Sequence, residues 1–269
     1  MSRYFRAKIR ENLPLNRNHK LLTLETSSPV NEPLPGQFYM VGVNRGGYNP
    51  LLKRAFSLFR KTSDGFQVLY RIKGKGTSLL SSMKEGEMID IIGPLGRSYP
   101  VPETGRTPLV IAGGVGMASV FSLIESIPKR SYVFYGARSK DELFMLDELG
   151  ALCKGLYIST DDGSLGKKGS IAGVLEDFLD RKHETEDQYL IYACGPKPLL
   201  GLIARTASSH SIQAFVSLEE QMACGIGACL GCAVRVKSPV SVLQGSEQDF
   251  IYRKVCKDGP VFDAAEILW

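Results

Sequence analysis

Four cysteines, Cys224, Cys229, Cys232 and Cys256, follow the spacing Cys-x4-Cys-x2-Cys-x23-Cys, the plant-type ligand pattern of a [2Fe-2S] cluster. Such a cluster takes four thiolates on two irons, and three of them come from one tight loop whose backbone wraps around the sulfides. The segment Cys224-Gly225-Ile226-Gly227-Ala228-Cys229-Leu230-Gly231-Cys232 suits this wrapping. It is mostly Gly and Ala, so the backbone can reach positive φ and turn amides toward sulfur. Bulkier residues would obstruct it. Cys153 and Cys194 stand apart. Six cysteines in 269 residues are too few for a disulfide scaffold, and their clustering favours metal binding in a reducing compartment. Electron transfer is therefore the leading expectation.

Length and composition allow more than a cluster-bearing tail. At 269 residues, with 43% hydrophobic content, the chain can fill the cores of two domains and a small third. No apolar run reaches the roughly 18 residues that cross a bilayer, and Met1-Ser2-Arg3-Tyr4-Phe5-Arg6-Ala7-Lys8 lacks the apolar core of a signal peptide. A cytoplasmic protein with no membrane partner is expected. The net charge of +5 is spread along the chain without a basic block or an aromatic-interleaved basic stretch, so no nucleic acid is expected either.

Residues 1–102 read as an N-terminal antiparallel β-barrel. Short apolar runs at 21–24, 38–41, 66–70 and 88–92 are separated by Gly, Pro and Asn turns. Over 103–217, apolar runs at 108–112, 132–135, 155–159 and 188–193 alternate with helix-like stretches at 118–127, 171–179 and 198–207. That alternation predicts a Rossmann-like parallel sheet with helices on its faces. Residues 218–269 form the small cysteine-bearing unit. The fold class is multidomain, β plus α/β.

Two barrel segments point to phosphate. Lys53-Arg54-Ala55-Phe56-Ser57 offers a guanidinium, and Gly74-Lys75-Gly76-Thr77 offers a Gly-rich turn ahead of a possible helix from Ser78. Either segment alone is equally well surface decoration; together they suit a dinucleotide pyrophosphate. Val110-Ile111-Ala112-Gly113-Gly114-Val115-Gly116-Met117-Ala118 reads as strand, glycine turn and helix, a seat for a nucleotide phosphate. It is not the full Gly-x-Gly-x-x-Gly fingerprint, and glycines there also serve close strand-to-helix packing. Cys194 is either a small buried hydrophobe or, at a strand's carboxyl end, part of a ligand site. Asp161 and Asp162 either face a nucleotide ribose or form a plain turn. Arg138-Ser139-Lys140 either binds a 2′-phosphate or closes a loop. His19, His183 and His210 lie in no motif and are expected at the surface.

In this order the elements resemble the ferredoxin-NADP reductase superfamily. Met222 to Cys229 and Val255-Cys256-Lys257-Asp258-Gly259-Pro260-Val261-Phe262 are similar to the electron-transfer subunits of dihydroorotate dehydrogenase B. The resemblance spans nearly the whole chain. It implies that Arg54, Ala55, Phe56 and Ser57 form a first FAD segment, Leu69, Tyr70 and Arg71 a second, and Gly76 with Thr77 a third. Ala55 stands where family members commonly carry Pro, a change that removes a rigid φ but neither the Arg nor the Ser. The resemblance further implies a nicotinamide-nucleotide segment at Gly113, Gly114, Val115 and Gly116, a nicotinamide pocket at Cys194 and Gly195, and cluster ligation by Cys224, Cys229, Cys232 and Cys256.

The implied electron path runs from NADH through FAD and a [2Fe-2S] cluster to an acceptor outside the chain. A nicotinamide gives up two electrons as hydride while the cluster accepts one at a time, and flavin does both. No residue of the chain is expected to act as a catalytic acid or base. No orotate-binding constellation or FMN site is evident, so pyrimidine chemistry would belong to an FMN-containing catalytic subunit, in a heterotetramer of two plus two. Two other readings remain. An NAD(P)H-dependent ferredoxin reductase or sulfide dehydrogenase type subunit shares the same layout and differs in its partner. A redox-sensing or zinc-binding module without turnover fits less well, because structural zinc usually takes paired Cys-x2-Cys and a sensor has no need of both nucleotide segments.

Overall fold

A computed structural model of the chain describes residues 3–26, 32–44, 47–181, 188–238 and 250–269. The first sheet is antiparallel and has seven strands in the order β4-β3-β7-β1-β2-β6-β5. They are β1 (Arg3–Pro14), β2 (His19–Thr26), β3 (Phe38–Val41), β4 (Arg54–Ser57), β5 (Arg60–Lys61), β6 (Gly65–Arg71) and β7 (Met88–Leu95), with helix α1 (Lys75–Ser81) between the last two. The sheet curls into a half-barrel, bringing Phe56 of β4 and Tyr70 of β6 to a ring separation of 5.5 Å although they lie on well-separated strands. Tyr39 stacks on Phe66 at 3.8 Å inside the curl. Residue 93 has to be glycine there, because a Cβ would stand 2.2 Å from the Tyr39 ring.

The second sheet holds β8 (Arg106–Gly113), β9 (Tyr132–Ala137), β10 (Gly155–Thr160), β11 (Lys167–Lys168), β12 (Gln188–Cys194) and β13 (Gln213–Ser217), all parallel. Helices α2 (Met117–Ser126), α3 (Leu146–Leu152), α4 (Ile171–Asp180) and α5 (Lys197–Ser209) connect them. Ser170 caps α4, its Oγ accepting from the Ala172 amide. The strand order β11-β10-β9-β8-β12-β13 reverses direction between β8 and β12, the switch point where open α/β sheets bind ligands.

The tail forms a hairpin of β14 (Ala233–Lys237) and β15 (Phe250–Lys254), then α6 (Val255–Asp258) and β16 (Val261–Asp263). β16 pairs antiparallel with β13, so the parallel sheet gains a strand of opposite sense that its alternating pattern does not foretell. Val255, Cys256, Phe262 and Ile267 of the tail are buried in one core with Phe38 and Met40 of β3 and Leu109, Ile191 and Val216 of the parallel sheet. Burying one such aliphatic or aromatic side chain contributes about 1.5–3 kcal/mol, which holds the three parts together. No helix among the described residues is long and apolar enough to cross a membrane.

A candidate nucleotide cleft beside a thiol loop

The barrel, the parallel sheet and the tail enclose one cleft of about 680 Å³, within the usual range for small-molecule sites. From the barrel come Ala55, Phe56 and Ser57 of β4 and Leu69, Tyr70 and Arg71 of β6. From the parallel sheet come Gly113, Gly114, Val115, Gly116 and Gly195, and from the tail Met222. Three residues of the barrel segments, Arg54, Gly76 and Thr77, do not line this cleft. They form an adjoining unit: Arg54 donates from Nη1 to the carbonyl of Leu52 at 2.6 Å, and its guanidinium packs against Gly76. The helix starts at Lys75 rather than Ser78, so Gly76 and Thr77 belong to its first turn. Thr77 Oγ1 accepts from the Lys73 amide at 2.7 Å and donates to the Gly74 carbonyl at 3.1 Å, which fixes that turn.

At the switch point, β8 and β12 end in glycines that approach backbone to backbone. A Cβ on Gly116 would lie 2.5 Å from the Cys194 carbonyl oxygen, and one on Gly195 would lie 3.1 Å from the Gly113 amide nitrogen. Gly114, at φ 53°, opens the turn toward α2. The glycines thus serve packing, and they also leave the mouth of the turn clear: a Cβ on Gly114 would have only Glu142 Oε2 nearby, at 4.0 Å. Cys194 is buried beneath the cleft wall. Burial pushes its thiol well above the usual range; Glu219 adds to this, while Ser119 and Ser217 oppose it through hydrogen bonds. Glu219 lines the cleft and is exposed there. Desolvation raises its carboxyl, and Lys73 pulls the other way.

The structure corrects the expectation for His19, which is 2% exposed. Its Nδ1 is 3.1 Å from Asn16 Oδ1, its ring packs on Phe144 at 5.0 Å, and it forms part of the cleft wall. His210 is half-buried, with Nε2 3.3 Å from Asp180, and His183 lies outside the described residues. Both Arg138 and Asp161 line the cleft. Asp162 instead closes a turn, accepting from the amide and hydroxyl of Ser164 at 2.9 and 2.6 Å.

Two residues past Met222, the chain enters the thiol loop. Gly225 (φ 72°) and Gly227 (φ 85°) carry the positive dihedrals the sequence implied, and Leu230 does so at φ 59° without being glycine. The amide of Cys229 donates to Cys224 Sγ at 3.4 Å, and the amide of Cys256 to Cys232 Sγ at 3.4 Å. Burial tends to raise the Cys224 thiol, but donation from Ile226, Cys229 and Ala228 outweighs it and brings the thiol below its usual range. Cys256 is pushed up by burial and by its neighbour Cys232, while the Gly227 amide acts in the opposite sense. Among the described residues no three His, Cys, Asp or Glu side chains converge on a single ion position. The four thiols come in two adjacent pairs lined by amide donors, an arrangement that fits the paired irons of an iron-sulfur cluster.

Sequence reasoning missed Met222 and Pro260 as cleft residues. The segment around Pro260 reaches the cleft through hydrogen bonds from Arg97 to Gly259 and from Leu218 to Pro260, contacts between residues far apart in the chain.

Comparison with known proteins matches residues 219–268 to the iron-sulfur cluster binding domain of dihydroorotate dehydrogenase B and residues 110–205 to an oxidoreductase NAD-binding domain. The NAD(+)-dependent dihydroorotate dehydrogenase B electron transfer subunit of Caldanaerobacter subterraneus is 35% identical, with 88% of each chain covered. That of a Geobacillus species is 36% identical over 87% of this chain and 86% of the relative. Among solved structures, a chain of the NADH-dependent reduced ferredoxin-NADP oxidoreductase superposes with a TM-score of 0.79 at 26% identity, covering 98% of this chain and 90% of the other.

Proposed function

Because the chain belongs to the family of electron transfer subunits of NAD-dependent dihydroorotate dehydrogenase B, we propose that it links NADH to the FMN of a partner dihydroorotate dehydrogenase subunit through FAD and a [2Fe-2S] cluster. One observation carries this reading: barrel segments, the glycine turn of the NAD-binding domain and Met222, two residues before Cys224, all face a single cleft. Two redox groups held there would be neighbours of the thiol loop without any domain movement.

FAD, when bound, supplies the exchange between hydride and single electrons that nicotinamide and cluster cannot make directly. The residues bind and orient. Arg54 and Arg71 hold phosphate, helped by the amides of Gly76 and Thr77 in the first turn of α1. Ala55, Phe56, Leu69 and Tyr70 wall the flavin, with Ser57 offering a hydroxyl to the ring. Gly113, Gly114, Val115 and Gly116 seat the nicotinamide nucleotide's phosphates, and Gly195, backed by Cys194, leaves room for the nicotinamide. Cys224, Cys229, Cys232 and Cys256 would together hold the cluster. The partner contributes FMN and the pyrimidine site, two copies of each subunit forming the assembly.

The likeness to the ferredoxin-NADP oxidoreductase chain favours a second reading with the same groups and a different acceptor. Anaerobic purification of the tagged chain from its own cells separates the two. An FMN-containing partner, with NADH-dependent orotate reduction only when both subunits are present, supports the first. A different flavoprotein, with orotate untouched, replaces it by the second.

A further inference from the structure

We infer that Tyr99 is a positioning residue that sets the spacing between the flavin wall of the cleft and its nicotinamide floor. This rests on the assignment of the cleft to those two groups and adds what holds them in register. Tyr99 lies in the segment joining β7 to β8 and is 3% exposed. Its backbone is tied to the barrel. The Tyr99 amide donates to the Pro35 carbonyl at 2.8 Å, and the chain from Pro35 runs directly into β3, where Phe38 pairs with Ser57 of β4. Phe38 and Ser57 both line the cleft. Its side chain is tied to the parallel sheet. The hydroxyl donates to the Ala193 carbonyl at 3.4 Å and lies 3.3 Å from Ser119 Oγ in the first turn of α2. Cys194 and Gly195, the floor, follow Ala193 immediately.

The tie runs in both directions. Tyr192 of β12 meets the Tyr99 ring edge-on at 5.7 Å, and its hydroxyl donates to the Pro100 carbonyl at 2.9 Å. Tyr99-Pro100 and Tyr192-Ala193 thus exchange hydroxyl-to-carbonyl bonds. Gly36, at φ 90°, makes room for the ring, since a Cβ there would stand 2.8 Å from it. Phenylalanine would fill the same space at 99 without a hydroxyl to desolvate; what the bonded hydroxyl adds is direction. Beyond Ala193 the strand end is wedged against the glycine turn, where a Cβ on Gly116 would lie 2.5 Å from the Cys194 carbonyl oxygen. A shift of Ala193 is therefore carried to Gly195 and Gly116 together. Ser119 extends the tie, because with Ser217 at the end of β13 it hydrogen-bonds the Cys194 thiol. Hydride transfer needs its reacting atoms about 3–3.5 Å apart, so a floor displaced by about 1 Å costs rate far more than affinity.

The test is Tyr99→Phe in the FAD-loaded chain, which keeps the ring and removes the tie. Melting temperature and FAD content should hold. Without nucleotide, amide hydrogen exchange over residues 193–197, read by mass spectrometry, should be faster than in wild type. At saturating NADH, anaerobic single-turnover reduction of the bound FAD should slow by about tenfold, while the NAD+ dissociation constant from calorimetry changes by less than about twofold. Should Tyr99→Phe fail to fold, Tyr192→Phe, which breaks the reciprocal bond, is held to the same result. Unchanged exchange and an unchanged reduction rate overturn the inference and leave the proposed function standing. A fall in melting temperature and FAD content, with the remaining loaded chain reduced at the wild-type rate, makes Tyr99 a packing residue only and also overturns it. A wild-type chain that neither binds NAD+ nor is reduced by NADH overturns the proposed function as well.

Discussion

A Cβ on Gly76 would stand 2.8 Å from Nε of Arg54 and 3.1 Å from its Cζ, so the guanidinium rests against the first turn of α1 only because residue 76 has no side chain. In Gly76→Ala the atom displaced is the far end of a flexible side chain, and alanine favours a helix by up to about 1 kcal/mol over glycine. The melting temperature should hold or rise. The displaced guanidinium should cost FAD binding several-fold, read as the FAD-to-protein ratio after gel filtration. Full retention of FAD would show that Arg54 does not hold the phosphate.

Gly225 poses the opposite case. Its φ of 72° disfavours any side chain, and a Cβ would lie 2.4 Å from Cγ of Met40, which is 1% exposed in the shared core and has nowhere to go. Gly225→Ala should destabilise the chain by about 1–3 kcal/mol and lower its iron content, measured by urea unfolding and metal analysis. Gly150→Ala in α3, where nothing lies within 4 Å of the added Cβ, is the control that should do neither.

The thiol loop and the glycine turn were legible in the sequence because their chemistry is set over a few consecutive residues. β1 was not. Its buried side chains Ala7 and Ile9 alternate with exposed Arg6, Lys8 and Arg10, so it offers no contiguous apolar run and shows only as a short alternation with a period of two. β16 was hidden for a different reason: its partner β13 lies more than forty residues earlier, and no local pattern announces such a pairing. That Asp161 lines the cleft while Asp162 closes a turn depends on Ser164, whose role appears only once the turn is built. His19 has no motif around it and packs on Phe144, from the loop between β9 and α3, a contact between residues far apart in the chain.

If the four cysteines hold the cluster, losing one thiol should disconnect the acceptor and spare the flavin. Cys229 is the exposed member of the set, so Cys229→Ala removes a ligand with little loss of packing. Iron should fall to background while FAD content and NADH-driven dye reduction persist, and NADH-dependent orotate reduction with the partner should disappear. Cys153→Ser, at a buried cysteine in a different core from Cys232 and Cys256, should leave the iron unchanged. Iron retained in Cys229→Ala would remove that residue from the ligand set.

His19 gives the fold a dependence on pH whose sign follows from its surroundings. Desolvation lowers its pKa below 6.5; the Glu142 carboxylate opposes this and the Arg71 guanidinium reinforces it. The native state therefore holds the imidazole neutral under conditions where the unfolded chain already protonates it. Below about pH 6.5 the unfolded state binds more protons, and stability falls until the lowered native value is reached; well above 6.5 the contribution is flat. His19→Asn can keep an N–H directed at Asn16 and has nothing to titrate. Urea unfolding at pH 7.5 and 5.5, with FAD in the same excess throughout, should show wild type losing more stability between the two than His19→Asn does. Equal losses would mean that the pocket against Phe144 opens enough to let the imidazole charge in place.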